Sequence, residues 1–142
     1  MREAQPGQFP LLVTLPLKVQ TYDIDFANHV SNQVYIRWLE DLRMEVLRAY
    51  YPIQRFMDEG IVPILASTHI NYRKAITLYD EPVGRMWCTK LGRATMNLEA
   101  SIDVGDTQCA HATHRVMLVN TETGRPARTP QVMFEAFDAG NG

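Results

Sequence analysis

The sequence predicts an α+β fold in which one long helix faces a single antiparallel sheet of about five strands. Three observations carry that expectation. The elements do not alternate: one β-like segment precedes one long helical segment and about four β-like segments follow, which argues against a doubly wound parallel sheet. The helical segment has a wide, aromatic apolar stripe that must be deeply packed. The segment after Thr95 alternates cleanly, with Met96, Leu98, Ala100, Ile102 and Val104 apolar and Asn97, Glu99, Ser101 and Asp103 polar, the pattern of a sheet with one face on a core.

In chain order, residues 1–10 read as a loose tail. Val13, Leu15, Leu17 and Val19 then recur at period two and predict a strand over residues 12–21, with Pro16 suited to an edge or a bulge. A polar, turn-rich stretch over residues 22–31 ends at Ser31, a sensible helix N-cap. Val34, Tyr35, Trp38, Leu39, Leu42, Val46, Leu47 and Tyr50 form the helical stripe, and Tyr51-Pro52 closes it. A short helical piece over residues 53–58 ends at Gly60. Strands are predicted over residues 61–73, 83–91 and 108–119 as well as the alternating one, with turns at Gly92-Arg93 and at Gly105-Asp106. A loop covers residues 121–130, and residues 131–137 add a last helical turn. One domain over residues 11–138 is expected, flanked by tails at 1–10 and 139–142.

Composition narrows the function classes. Fourteen Lys and Arg against sixteen Asp and Glu give a net charge of −2, without the basic field of a nucleic-acid binder. No apolar run reaches the ~20 residues that span a bilayer, and a start containing Glu3, Pro6 and Pro10 makes a poor signal peptide. Cys88 and Cys109 fit no metal spacing; two reduced thiols in a cytoplasmic protein is the easier reading than a disulfide. No phosphate-cradling glycine motif, nucleophile elbow or HExxH occurs. His111 and His114, three apart on a strand, point to opposite faces and cannot share an ion, so no metal site is expected. Cys109 and His111 share a face on that reading, without a pattern that indicates a cleft. His69 reads as structural.

The informative stretch runs from Tyr22 to Tyr35. It places Asp23, Asp25, Asn28, His29 and Asn32 immediately ahead of the apolar helix. A carboxylate there faces free backbone N–H groups and the positive end of the helix dipole, which can also hold a developing oxyanion. The same residues also suit plain turns and caps. Local chemistry leaves both readings open.

The stretch resembles the signature of the hotdog-fold acyl-CoA thioesterases of the 4-hydroxybenzoyl-CoA thioesterase type, D-x-D-x-x-G-H-V-x-N-x-x-Y with an early Glu on the helix. Asp23, Asp25, His29, Val30, Asn32, Tyr35 and Glu40 fall in place. Asn71-Tyr72-Arg73-Lys74 with Tyr79-Asp80-Glu81, Gly92-Arg93-Ala94-Thr95, and Thr123-Gly124-Arg125-Pro126 with Thr129-Pro130 resemble later features of that family in the same order. The resemblance implies a long central helix wrapped by the sheet, and a homodimer or homotetramer with its active site at the dimer interface. It implies hydrolysis of an acyl-CoA or acyl-carrier-protein thioester with no metal or redox cofactor. Asp25 would be nucleophile or general base, and the N–H at Asn32 would polarise the carbonyl. His29 would orient water or substrate, or hydrogen-bond Asp25 or a backbone group. Thr95 would hold the attacking water from the facing subunit. Arg93, with Lys90 and Arg128 behind it, would take coenzyme A phosphates; each reads equally as a solvated cation. Trp38, Leu39, Leu42 and Phe56 are candidates for the acyl pocket. The family usually has Gly at the position of Asn28, and if that position needs a positive φ, Asn is the best substitute. The alternative from another class is a non-catalytic module of this fold that binds an acyl-CoA or acyl-carrier-protein ligand.

Overall fold

The computed structural model describes residues 1–140. Six strands form one antiparallel sheet: β1 (Arg2–Glu3), β2 (Val13–Pro16), β3 (Ile61–Tyr72), β4 (Val83–Leu91), β5 (Thr95–Val104) and β6 (Thr107–Asn120). The order is β1-β4-β5-β6-β3, and β2 pairs with β4 beside β1. The described residues also form three α-helices: α1 (Asn32–Tyr50), α2 (Ile53–Asp58) and α3 (Gln131–Gly140). None of them is long and apolar enough to cross a membrane.

α1 forms where its stripe predicts, with Ser31 as N-cap and Tyr51 as C-cap. It buries Val34, Tyr35, Trp38, Leu39, Leu42, Val46 and Leu47, the last four of them essentially inaccessible. Full burial of one such aliphatic chain is worth ~1.5–3 kcal/mol relative to exposure, so this stripe is a large source of stability. The sheet receives it on a face made partly of small residues. Ala100 lies opposite Ala112 on β5 and β6, and on β4 a Cβ at Gly84 would come within 2.9 Å of Leu42 Cδ1. That missing side chain lets the helix lie close to the sheet.

Strand alternation sorts β6 as expected: Ala110, Ala112, His114 and Val116 are buried while Thr113 and Arg115 are exposed. The two histidines do part to opposite faces. His111 pairs through Nε2 with Glu99 Oε1 at 2.6 Å, whereas His114 is buried with Nδ1 3.4 Å from Arg43 Nη1. Burial first, then the Arg43 charge, push the His114 imidazole down from 6.5 to about 4.

Five differences from the sequence expectation have physical causes. The strand expected over residues 12–21 is only Val13–Pro16, ending at a proline that has no N–H for the ladder, and Thr21–Asp23 form a 3-10 turn. The first residues are not a loose tail. Arg2 and Glu3 pair with Leu91 and Lys90, Arg2 reaches Asp138 at 3.2 Å, and Phe9 packs edge-on to Trp87 at 5.0 Å. These are long-range contacts with no local periodicity, and they raise the strand number from five to six. Cys109 does not share the face of His111, because the β5–β6 register shifts between Ile102 and Asp103 and carries Cys109 into the core. His69 stands exposed on β3 rather than packed. Lastly, α3 runs to Gly140, so two residues expected in the C-terminal tail are helical; residues 141 and 142 lie outside the described residues. Both cysteines are buried and free.

His114 generates a pH prediction. Its folded value, about 4, lies below its ordinary value of 6.5, so the unfolded chain binds the extra proton first as pH falls. The contribution of neutral His114 is therefore complete above pH 6.5 and lost between there and about pH 4, on the order of 3 kcal/mol. Urea unfolding across that window should show a steeper acid loss in the wild type than in His114→Gln.

Candidate active site at the start of the long helix

The segment before α1 is tied down on both sides. Ile24 and Val30 bridge across the loop, and Val30 N–H donates to Ile76 O at 2.8 Å. Ser31 N–H donates to Asp23 O at 2.9 Å. Inside these ties, the two aspartates of the motif do different things.

Asp23 is buried, 4% exposed. Its Oδ1 accepts from Arg37 Nη2 at 2.9 Å and its Oδ2 from the Gln20 N–H at 2.8 Å. Arg37 lies on the first turns of α1, so this carboxylate clamps the incoming chain to the helix. Asp25, two residues on, is exposed. Its Oδ1 accepts from the N–H groups of Ala27 at 2.9 Å and His29 at 3.1 Å, while its own N–H donates to His29 O at 2.8 Å. The loop thus holds one carboxylate oxygen and turns the other outward. Asn28 closes the loop at φ 63°, the left-handed conformation that Gly adopts freely and Asn tolerates best among other residues.

A cleft of about 230 Å³ opens beside this loop and is lined by Asp25, His29, Asn32, Tyr72, Arg73 and Lys74, among others. The structure therefore brings Asp25, His29 and Asn32 together. Asn32 begins α1, where the amide N–H groups of the first turn have no intrahelical acceptor and the dipole is positive. One wall is aromatic: Tyr72 packs edge-on to Tyr35 at 5.0 Å, and its hydroxyl lies 3.5 Å from Asn32 O. Burial is the main cause that pushes the Tyr35 phenol up to about 12, so it stays protonated.

Lys90, Arg93, Thr95 and Arg128 do not line this cleft. The pairs Leu91–Met96, Met96–Val116 and Val116–Leu65 form one row across the sheet. The step along β3 from Leu65 to Tyr72 is roughly 23 Å. Within one chain, these four residues sit at the other end of the sheet. Lys90 is instead 3.8 Å from Glu3, and Arg93 O accepts from the Thr129 N–H at 2.6 Å. Trp38, Leu39, Leu42 and Phe56 are consumed by the core, at 6%, 0%, 0% and 0% exposure, and offer no wall to the cleft. Arg73 and Lys74 are legible in the sequence only as part of a strand-end motif; the topology puts them beside Asp25.

A fold with one helix wrapped by an antiparallel sheet, and a carboxylate held at that helix's N-terminus, defines a class. The chain belongs to the thioesterase-like superfamily, whose family model matches residues 19–137. Among individual proteins, it is 31% identical over 64 residues to the long-chain acyl-CoA thioesterase FadM of Escherichia coli (strain K12). That match spans 45% of this chain and about half, 48%, of FadM. A thioesterase from Thermus thermophilus, solved in complex with coenzyme A and Zn, superposes with a TM-score of 0.78 at 25% identity over 96% of this chain and 97% of that one. SAV2348 of Staphylococcus aureus, solved in complex with CoA, shares the fold at a TM-score of 0.85 and 15% identity, covering 96% of this chain and 88% of that one. The hotdog architecture is thereby established for this chain.

The division between the aspartates is measurable. Asp23→Asn should cost about 1–3 kcal/mol in urea unfolding through the loss of a buried, charge-assisted bond. At Asn28, substitution by Gly should stay within about 1 kcal/mol, whereas Val, which resists positive φ, should cost about 1–2 kcal/mol; thermal unfolding of the two variants reads the difference.

Proposed function

We propose that the protein is an acyl-CoA thioesterase, with Asp25 as the catalytic carboxylate. The observation that carries this reading is the exposed Asp25 carboxylate, anchored through Oδ1 and sharing one cleft with the start of α1. The family and the fold supply the reaction class; the residues supply the chemistry. A thioester carbonyl oxygen placed against the Asn32 amide meets a donor fixed before charge develops, which is what makes such groups effective. Asp25 then acts in one of two ways. As nucleophile it adds to the carbonyl, the coenzyme A thiolate leaves and takes up a proton, and water cleaves the resulting anhydride. As base it removes a proton from water, whose oxygen forms the new C–O bond while the proton passes to the leaving sulfur. His29, at the cleft edge, orients the water or the ester in either route.

The edge strand supports a homodimer. β3 is twelve residues long and residues 64–69 are exposed along it, with Ile64 44% and Leu65 36% exposed. An unpaired edge of this length is a template for another strand. Antiparallel pairing of two β3 edges would bring the end of one sheet that carries Lys90, Arg93, Thr95 and Arg128 toward the Asp25 cleft of the other copy. This is the arrangement in which those residues would serve as expected. The two free, buried thiols support a cytoplasmic location.

Thiol release from acyl-CoA and acyl-carrier-protein esters of several chain lengths, followed with a thiol-reactive dye, tests the reading. Asp25→Asn keeps the shape of the loop and should lower kcat by about a hundredfold or more. Equal rates in the two proteins, or ligand binding without turnover in the wild type, would refute it.

A further inference from the structure

The Asn32 amide is one fixed donor for the oxyanion that forms on a thioester carbonyl, and sites for acyl transfer commonly set two donors on that oxygen. Ser31 occupies the N-cap position of α1, but its hydroxyl makes no bond to the first-turn amides. The second polar group at this spot is the Tyr72 hydroxyl. It lies 3.5 Å from Asn32 O, beyond the usual range for a hydroxyl donor, and it has no closer acceptor among the described residues. Asn32 O is also the acceptor that the helix ladder uses one turn on, so the phenol proton is not committed there. The N and O atoms of one residue lie within ~3.6 Å of each other, which puts the Tyr72 oxygen and the Asn32 nitrogen at most about 7 Å apart. One substrate oxygen bridges two donors over about 5–6 Å.

Tyr72 is also held still. Its backbone pairs with Ala110 at the end of β3. Its ring stands edge-on to Tyr35 at 5.0 Å, and Tyr35 stands edge-on to Trp38 at 5.4 Å. Those two are core residues, whereas Tyr72 is 45% exposed and lines the cleft with Asp25, His29 and Asn32. Burial pushes the Tyr72 phenol up from its ordinary value of 10.0, so at neutral pH it is a neutral O–H donor.

We infer that the Tyr72 hydroxyl is the second donor to the thioester oxygen and so a catalytic residue, an inference that rests on the thioesterase reading above. As Asp25 or its water adds to the carbonyl carbon, the π pair moves onto oxygen. The bond from the Tyr72 O–H strengthens with that charge, beside the bond from the Asn32 N–H. When the C–S bond breaks, the pair returns and both bonds relax. The phenol keeps its proton throughout, so the proton balance of the reaction is unchanged.

Tyr72→Phe keeps the ring and its packing and removes only the hydroxyl. Its kcat for acyl-CoA hydrolysis should fall roughly a hundredfold, the cost of one such donor, with KM and the thermal midpoint unchanged. A second readout needs no turnover: a ketone analogue of the ester, with methylene in place of sulfur and an isotope-labelled carbonyl, is bound and followed by infrared difference spectroscopy. Its C=O stretch should lie lower in the wild type than in Tyr72→Phe. Equal kcat values, a change confined to KM, or a fall in kcat with identical stretches would overturn the assignment. A wild type that cleaves no ester refutes the thioesterase reading alone; the two stretches still decide whether Tyr72 bonds the carbonyl.

Discussion

Burial of the α1 stripe against the sheet is the constraint on which the other features depend. Leu39, Leu42 and Val46 are wholly inaccessible, and the helix can lie this close because Gly84, Ala100 and Ala112 present almost no side chain beneath it. The contact does more than stabilise. It sets the direction of α1 and therefore the place where its first amides emerge. The cleft exists at that point because the helix axis, the end of β3 and the 24–30 loop meet there.

Around that point, the two aspartates of the motif are engaged differently. Asp23 is buried and fully engaged, and it joins the loop to the first turns of the helix. Asp25 uses one oxygen to shape the loop and leaves the other outward. The aromatic pair Tyr35–Tyr72 makes a firm wall opposite. The loop is closed by backbone bonds at both ends, and Asn28 accepts the one left-handed conformation it requires.

The sheet also separates two polar clusters along its length. The Asp25 cleft lies at the Tyr72 end of β3, while the turn carrying Arg93 and Thr95 lies at the Leu65 end. A single chain therefore holds a carboxylate, helix amides and two cations in one place, with a second polar cluster out of reach. The long exposed edge of β3 lies between the two ends.

Much of this is legible in the sequence. α1, α2 and β4 occur where periodicity and caps put them, and β3, β5 and β6 agree within two residues at each end, because each has a clear apolar rhythm and a turn signal at its limits. The motif over residues 22–35 marks the Asp25 loop, and the positive φ of Asn28 matches the residue type found there. The remainder needs tertiary structure. Pairing of Arg2 and Glu3 with β4 rests on contacts with Leu91 and Lys90, far along the chain, for which local pattern has no signal. Trp38, Leu39, Leu42 and Phe56 look like pocket residues or core residues in a stripe alike, and only packing shows they are core. By itself, then, the sequence determined which residues could form the helix, the strands and the carboxylate loop, since these follow from local periodicity and backbone preference. The tertiary structure alone decided which aspartate is buried, which cations stand beside the other, and which lie at the far end of the sheet, because strand order and register set distances that a linear spacing does not contain.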